Sequence, residues 1–584
     1  NTDVDNFLSL REAVLLVNHD GDATAALGRS LTAGEAAQVN TSQPLGMNDT
    51  ITFAPSLNGR VITLDGTALW LDRSVSIIGP GPGLLEINGG WNGVAGSTVG
   101  SRIFSVGTGV NATISGLTLR RGNTAGSGGA INNRGTLTLD RVSVLDSQAR
   151  GNDGGGGGIF STGTLTLLGS TIAGNSVTSA SGSGGGVSNY GSAFISNSTI
   201  VDNRQTNAAS TWGSGGIYTG GGYAEMTIVH STIAGNSAAG GPGGGVRSVY
   251  SSVRIRNSLI VGNTAASDAN VSGTFTNDGG NLLDIPTGQT LGDVITTVYG
   301  EPSLRSRNGG TTSTVALATG SAALDAAVDV ASLSAGVDSS ATTIGVDTAL
   351  YIHAGALLRI GDEIVRVTGI SGGTLTVQRG QNGTTAAAHA NADNIFMPVD
   401  QRGFPRLYAP GRTDAGAYEV QLITGGISQF GNQLRLTNEH GGSVAGTMTG
   451  TSAISVPTWN LTGTIANGVI SWSNGSRWFA APNITGYYGP ATTITMHLGT
   501  TVAAPLRVHQ AGLDLIYSYL GNLQGTGRFN SRFSLPGTGA LGNTASTFDA
   551  VFGNFTLRAG TVLPRLAPLN TDVVFANRNL WPFL

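Results

Sequence analysis

The chain has 584 residues, of which 92 are Gly, 39% are hydrophobic and only 11% are charged, and 30 basic against 34 acidic side chains leave a formal net charge of −4. Every basic residue is Arg and there is no Cys, which excludes isopeptide cross-links through Lys, disulfides and thiolate metal sites. No basic block is present to neutralise phosphates, so nucleic acid is not an expected partner, and no stretch nears the roughly 18 apolar residues of a membrane-spanning helix.

Low charge and high Gly also describe disordered chains. Here, however, the apolar residues fall in short Val/Ile/Leu/Thr runs separated by Gly, Asn and Ser, the pattern of strands and turns. The chain starts at Asn1 without a basic n-region or an apolar h-region, so an export signal has either been removed or was never there. The extracellular or cell-surface location expected here takes it as removed.

The first 50 residues read as an amino-terminal cap. Leu8-Ser9-Leu10-Arg11-Glu12-Ala13-Val14-Leu15-Leu16-Val17 has helical spacing of its apolar residues, and an open solenoid end needs such a cover for its strand edges. Asp20-Gly21-Asp22 offers a weak calcium site that lacks the full loop pattern and reads better as a polar loop. No other cofactor is expected. Less regular coils follow at Ile51 to Phe53, Val61 to Leu64, Val75 to Ile78, Leu84 to Ile87 and Ile103 to Val106.

From about Ile103 to Leu283 one phrase recurs: a Gly cluster, an apolar residue, a short strand, then Ser-x-Ile-x-x-Asn. The apolar residue after the cluster is Ile131, Ile159, Val187, Ile217 and Val246, and a second column reads Leu119, Val144, Ile172, Ile200, Ile233 and Ile260. Repeats of this length with two or three short strands and no 3.6-residue period describe one coil of a parallel β-solenoid, strands stacked about 4.8 Å apart and crossovers right-handed. The Gly clusters mark turns. After the second column stands a polar one, Ser147, Asn175, Asn203, Asn236 and Asn263, which predicts an Asn ladder of amide hydrogen bonds.

These residues resemble a family of secreted bacterial β-helix proteins that includes polymorphic outer-membrane and autotransporter-like surface proteins. Phe7 to Val14 is similar to the family's cap motif, with Leu8 where many members carry Cys. Asn308-Gly309-Gly310-Thr311-Thr312, Gly320 to Ala326, Asp400-Gln401-Arg402-Gly403 and Asp414 to Glu419 are similar to its closing segment. The resemblance covers roughly the first 420 residues. It implies a structural or adhesive surface protein. The closing segment is interrupted over residues 331–397, where Leu358 to Val367 and Arg379 to Thr385 resemble a small β module of phage-tail and other extracellular proteins.

Beyond Gln421 the repeat gives way to alternating strands with Asn-Gly turns at Asn467-Gly468 and Asn474-Gly475, a separate β sandwich or barrel. Trp459, Trp472, Trp478 and Trp581 there belong either to a core or to a sugar-stacking platform. Phe575, Leu580, Trp581, Phe583 and Leu584 make an apolar end that docks on its own domain or on a second copy, the latter giving head-to-tail filaments.

The organisation expected is thus all-β: a cap (1–50), a right-handed parallel β-helix (51–330), an inserted module (331–397), a closing segment (398–420) and an antiparallel β domain (421–584). The partners expected are further copies joined through the ends, with glycan or cell-surface contact besides. The competing reading is a carbohydrate-active enzyme, a polysaccharide lyase or glycosidase, or a carbohydrate-binding protein on the same scaffold. Its sharpest form uses Asp146 and Asp202, two coils and roughly 9.6 Å apart by the strand spacing, as an inverting carboxylate pair. Their column alternates Asp with Gly before each Asn, which reads first as a turn preference, so no catalytic residue is assigned. The seven His residues show no metal-ligand spacing.

Overall fold

The computed structural model is mostly β, about 7% helical, and forms two units, Asn1–Val420 and Gln421–Leu584. It describes residues 4–295, 310–318, 321–403, 406 and 413–419 apart from 43, 47, 152–154 and 223, and between 425 and 577 the strands of a barrel and of two smaller sheets with residues 449, 457–459 and 473.

The first unit contains a parallel β-solenoid of about eight turns. One coil runs Ile131–Asn133, Thr136–Asp140, Ser143–Leu145 and Gln148–Ala149, and these strands lie in four parallel sheets, here the first to the fourth. In the first sheet Phe104, Ile131, Ile159, Val187, Ile217, Val246 and Val271 are successive register partners. In the third, Leu119, Val144, Ile172, Ile200, Ile233 and Ile260 are. The second sheet adds a stack that sequence did not isolate, Ile77, Ile114, Leu139, Leu167, Ile195, Ile228 and Ile255. The three stacks meet in one core, where each buried aliphatic side chain contributes about 1.5–3 kcal/mol.

The amino-terminal helix, Leu10–Asn18, starts at a capping box in which Ser9 and Glu12 satisfy each other's backbone N–H groups. Leu10, Val14 and Val17 enter the solenoid core. The helix also covers an open edge. Leu69–Leu71 is the outermost strand of the first sheet. Asn18 donates to the Trp70 carbonyl at 2.8 Å and accepts from the Asp72 N–H at 3.0 Å, while Arg11 donates to the Thr67 and Ala68 carbonyls at 2.8 and 3.2 Å. Two side chains thus take the place of a neighbouring strand.

The laddered strands end at Thr276–Asn277, short of the residue-330 boundary drawn from sequence; Leu283 still packs on the solenoid core, and the apolar residues from Val294 onward pack outside it. Val294, Ile295, Val315, Leu317, Ala323 and Ala415 pack on Ala173, Val201, Ala234, Leu259 and Val261, the outer face of the third sheet. The described residues among 310–330 and 398–419 form a strap across that face. Gln401 bonds Thr171 and Thr199 in adjacent coils at 3.0 and 2.6 Å, the Ala417 N–H donates to Thr232 Oγ1 at 2.9 Å, and the Gly416 N–H to the Asn257 carbonyl at 2.9 Å.

Two buried ion pairs shape the strap. Arg402 lies over the Tyr418 ring at 3.7 Å and pairs with Asp400 through Nε and Nη2 at 2.8 and 2.6 Å. Arg406, 1% exposed, donates to Glu419 at 3.1 Å, to the Gly416 carbonyl at 2.8 Å and to Asn197 of the solenoid at 3.0 Å.

Between the strap's two arms, Ala331–Ser332 to Asn394–Phe396 form a six-stranded antiparallel sheet with its own core. It rests on the second sheet, where Tyr351 Oη donates to Asp278 at 2.5 Å and the Arg256 guanidinium lies 5.2 Å from the Tyr351 ring centre. Its buried Glu363 accepts from Arg379 at 2.7 and 2.8 Å, from the Gly380 and Ala387 N–H groups at 2.9 and 3.0 Å and from His389 at 2.9 Å. Burial raises the pKa of that carboxyl, and the Arg379 guanidinium with the other donors outweighs it, holding the group at about 2.

In the second unit, Gly425–Phe430, Gln433–Thr437, Ser443–Met448, Ala453–Val456, Leu461–Ala466, Val469–Trp472, Arg477–Ala480 and Val573–Asn577 make a closed antiparallel barrel, accompanied by two smaller antiparallel sheets.

Replacing Glu419 by Gln keeps its volume but leaves the Arg406 charge buried and uncompensated. The expected loss is about 3–5 kcal/mol, to be read from the first transition in chemical denaturation of the full chain. An unchanged midpoint would mean that the strap does not depend on this pair.

Candidate functional site

Each coil turns between its third and fourth sheets through one left-handed residue. Asp146, Gly174, Asp202, Gly235 and Gly262 occupy that position with φ between +49° and +68°. Asp there is tolerated and Gly is favoured, which accounts for the alternation in the sequence. Asp146 also pairs with Arg120 at 2.8 Å.

The residue after the turn points inward and builds the amide ladder. Asn175 Oδ1 accepts from the Ser147 N–H at 2.9 Å. Asn175 in turn donates its own N–H and Nδ2 to Asn203 Oδ1 at 3.0 and 2.9 Å. The same pair of bonds joins Asn203 to Asn236 and Asn236 to Asn263, and Asn263 ends on Asn270. Each Nδ2 also reaches a carbonyl one coil back, at Val144, Ile172, Ile200 and Ile233. Every donor of these buried amides is used.

A second ladder went unrecognised in the sequence although it was quoted in every repeat. The Ser of Ser-x-Ile-x-x-Asn accepts a backbone N–H from the coil before it: Val142 to Ser170, Ser170 to Ser198, Ser198 to Ser231 and Ser231 to Ser258, all at 3.0–3.2 Å. Its preceding turn residues, Arg141, Gly169, Asn197, His230 and Asn257, are left-handed as well.

That column carries a buried titratable group. His230 is 1% exposed, and its Nε2 lies 3.1 Å from Asn257 Nδ2. Asn257 accepts the Val328 N–H at 2.8 Å and donates to the Val328 carbonyl at 2.6 Å, so the direction of its amide is fixed. Asn257 therefore donates to His230, and the ring proton sits on Nδ1. Burial first, then the nearby Arg406 and Arg256 guanidinium groups, hold the imidazole well below its usual range.

The other sequence candidates are engaged locally. Asp20 pairs with Arg73 at 3.0 and 3.1 Å and Asp22 caps the helix Ala23–Leu27 through the Thr24 and Ala25 N–H groups. Both carboxylates of the calcium candidate thus already have partners, and no group of three His, Cys, Asp or Glu able to hold a metal occurs among the described residues. Trp472 and Trp478 lie on barrel strands and Trp459 on the short helix Pro457–Trp459. Phe575 lies on Val573–Asn577, which pairs within this chain to Gly425–Phe430 and Arg477–Ala480. Leu580, Trp581, Phe583 and Leu584 lie outside the described residues.

One cluster escaped sequence reasoning. On the outer face of the first sheet the Phe160, Tyr190 and Tyr218 rings follow one another at 5.6 Å between centres, and the Arg247 guanidinium lies 5.6 Å from the Trp212 ring centre. Phe160, Tyr218 and Arg247 are strand residues in one register column. Tyr190 directly follows the strand Val187–Asn189, where the coil before it has Thr162, and Trp212 comes from the turn before Ile217, so no recurring residue type marks either. Compared with protein families, curated proteins and solved structures, the chain matches none.

Two outcomes follow from the ladders. Asn203→Ala strips Asn175 of its acceptor and the Ile172 carbonyl of its donor. At about 1–3 kcal/mol per orphaned buried group, a loss of at least about 2 kcal/mol is expected in chemical denaturation, with faster amide exchange at Asn175. For His230, the unfolded imidazole takes up a proton near pH 6.5 while the folded one stays neutral, so stability falls as pH falls below about 7. His230→Asn, the residue found at this turn in both adjacent coils, is expected to lose less stability than the parent between pH 7.5 and 5.5 in urea titrations.

Proposed function

We propose that the chain is an extracellular structural scaffold of adhesive type, a stiff β-helical rod that carries a displayed β module and a terminal β barrel at a surface. The observation that supports this reading is the strap. It ties coils along the third sheet to one another through Gln401, Arg406 and the 413–419 segment, and it presents the inserted module from the middle of its own course. A covered edge at the amino end and a cross-tied flank suit a rod that bears load and displays a module. The resemblance to secreted bacterial surface proteins and the compact polar repeat, free of Lys and Cys, agree with it.

Antibodies raised against the inserted module and applied to intact source cells are expected to label the outside, and loss of the gene is expected to lower attachment of those cells to surfaces. Labelling only after lysis would overturn the reading. Electron microscopy of the native protein at micromolar concentration, with sedimentation in parallel, separates its two forms: end-to-end filaments for a polymer subunit, single rods for a spacer.

A further inference from the structure

We propose that the outer face of the first sheet binds an acidic polysaccharide, whose sugar rings lie on the exposed Tyr190 and Trp212 rings of the aromatic strip and whose carboxylates meet Arg247. The proposal rests on the surface reading above and names the partner of that surface.

The strip runs parallel to the solenoid axis. From the Phe160 coil to the Arg247 coil there are three steps of strand spacing, roughly 14 Å, the length of a short run of sugar rings. Tyr190 is 38% exposed and Trp212 is 53% exposed, while Tyr218, whose ring centre lies 5.6 Å from that of Tyr190, is only 6% exposed and backs the open rings. Exposed aromatic rings on a rigid sheet mark contact surfaces. The rings are also pre-set in place. A Cβ at Gly220 would stand 2.7 Å from the Tyr218 hydroxyl and one at Gly221 3.3 Å from Tyr190 Cδ1, so these two Gly residues provide the space the rings occupy. Ser183 Oγ, buried with Ser188, lies 3.0 Å from Ser188 Oγ and 3.4 Å from the Tyr190 hydroxyl, which fixes that ring from behind.

Charge selects among glycans. The outward register column of this sheet reads Trp70, Ser105, Asn132, Phe160, Ser188, Tyr218, Arg247 and Ser272, with one guanidinium in the column and the Asp268 carboxylate beside it taken up by Ser272 at 3.3 Å. Arg247 is steadied by donating to the Thr211 carbonyl at 2.7 Å and by the Trp212 ring, which presents its planar fork to an incoming carboxylate. Stacked bases could use the same rings, but a chain of net charge −4 with one guanidinium on the strip lacks the field that a phosphate backbone calls for.

The purified full-length chain is tested by biolayer interferometry against immobilised oligogalacturonate, a neutral cello-oligosaccharide and oligothymidylate. Oligogalacturonate is expected to bind at least tenfold more tightly than the neutral sugar. Trp212→Ala and Arg247→Gln are each expected to weaken it at least tenfold with the thermal unfolding midpoint unchanged. The proposal is overturned if oligogalacturonate is not retained, if the neutral sugar binds equally, if both variants bind as the parent does, or if oligothymidylate binds in its place. Surface labelling of intact cells is independent of all these outcomes, so a failure here is distinguishable from a failure of the surface reading.

Discussion

Parallel, in-register stacking at one strand spacing is the constraint from which everything else in the first unit follows. A coil pairs with its neighbours along three main sheets only if it returns to the same lateral position after each circuit, and that return depends on left-handed turn residues. Asp146, Gly174, Asp202, Gly235 and Gly262 hold one such corner, and Arg141, Gly169, Asn197, His230 and Asn257 another. Once the corners align, like side chains lie on like. Aliphatic stacks then fill the interior, and each Asn or Ser next to a corner finds the same polar group one coil away. The ladders are therefore consequences of the stacking as well as its reinforcement. A buried amide that lost its neighbour would stand with unmet donors.

The same constraint creates the problems that the appended segments solve. A stack of strands has two ends and several outer faces. The helix Leu10–Asn18 covers one strand edge with Asn18 and Arg11, and the strap covers the outer face of the third sheet, where Ala173, Val201 and Ala234 would otherwise be exposed. Arg402 and Arg406 are buried there only because Asp400, Glu419 and strap carbonyls surround them. The first sheet's outer face is dressed differently, with aromatic rings left partly open to solvent.

How much of this was legible depended on whether a feature repeats. The Ile/Val columns and the Asn column could be aligned by eye because each recurs once per coil, and sheet and register follow from them. The Ser column was equally periodic, yet a Ser hydroxyl accepting one backbone N–H is a weaker signal than an Asn amide that both donates and accepts. The Leu139 and Ile228 stack was hidden because its neighbours change from coil to coil, Thr138 and Asp140 around Leu139 but Thr227 and Val229 around Ile228, so no fixed phrase marks it. Nonrepeating features were the least legible. The partners of Arg406 lie within the strap and more than 200 positions away at Asn197, and Tyr190 has Thr162 rather than an aromatic at its place in the coil before.

The inserted module has its first and last strands side by side, with Ala331 paired to Ile395, and just outside it the Ala327 N–H donates to the Thr413 carbonyl at 2.8 Å. The two arms of the strap are therefore held together by the module's own fold. Were the module unfolded, the arms would be the ends of a long flexible loop, and closing such a loop carries an entropy cost that grows with the logarithm of its length. In entropic terms the module acts as a clasp: its folding sets the effective concentration of one arm for the other. An extension along the solenoid's flank thereby becomes conditional on a β sheet that shares none of its repeats.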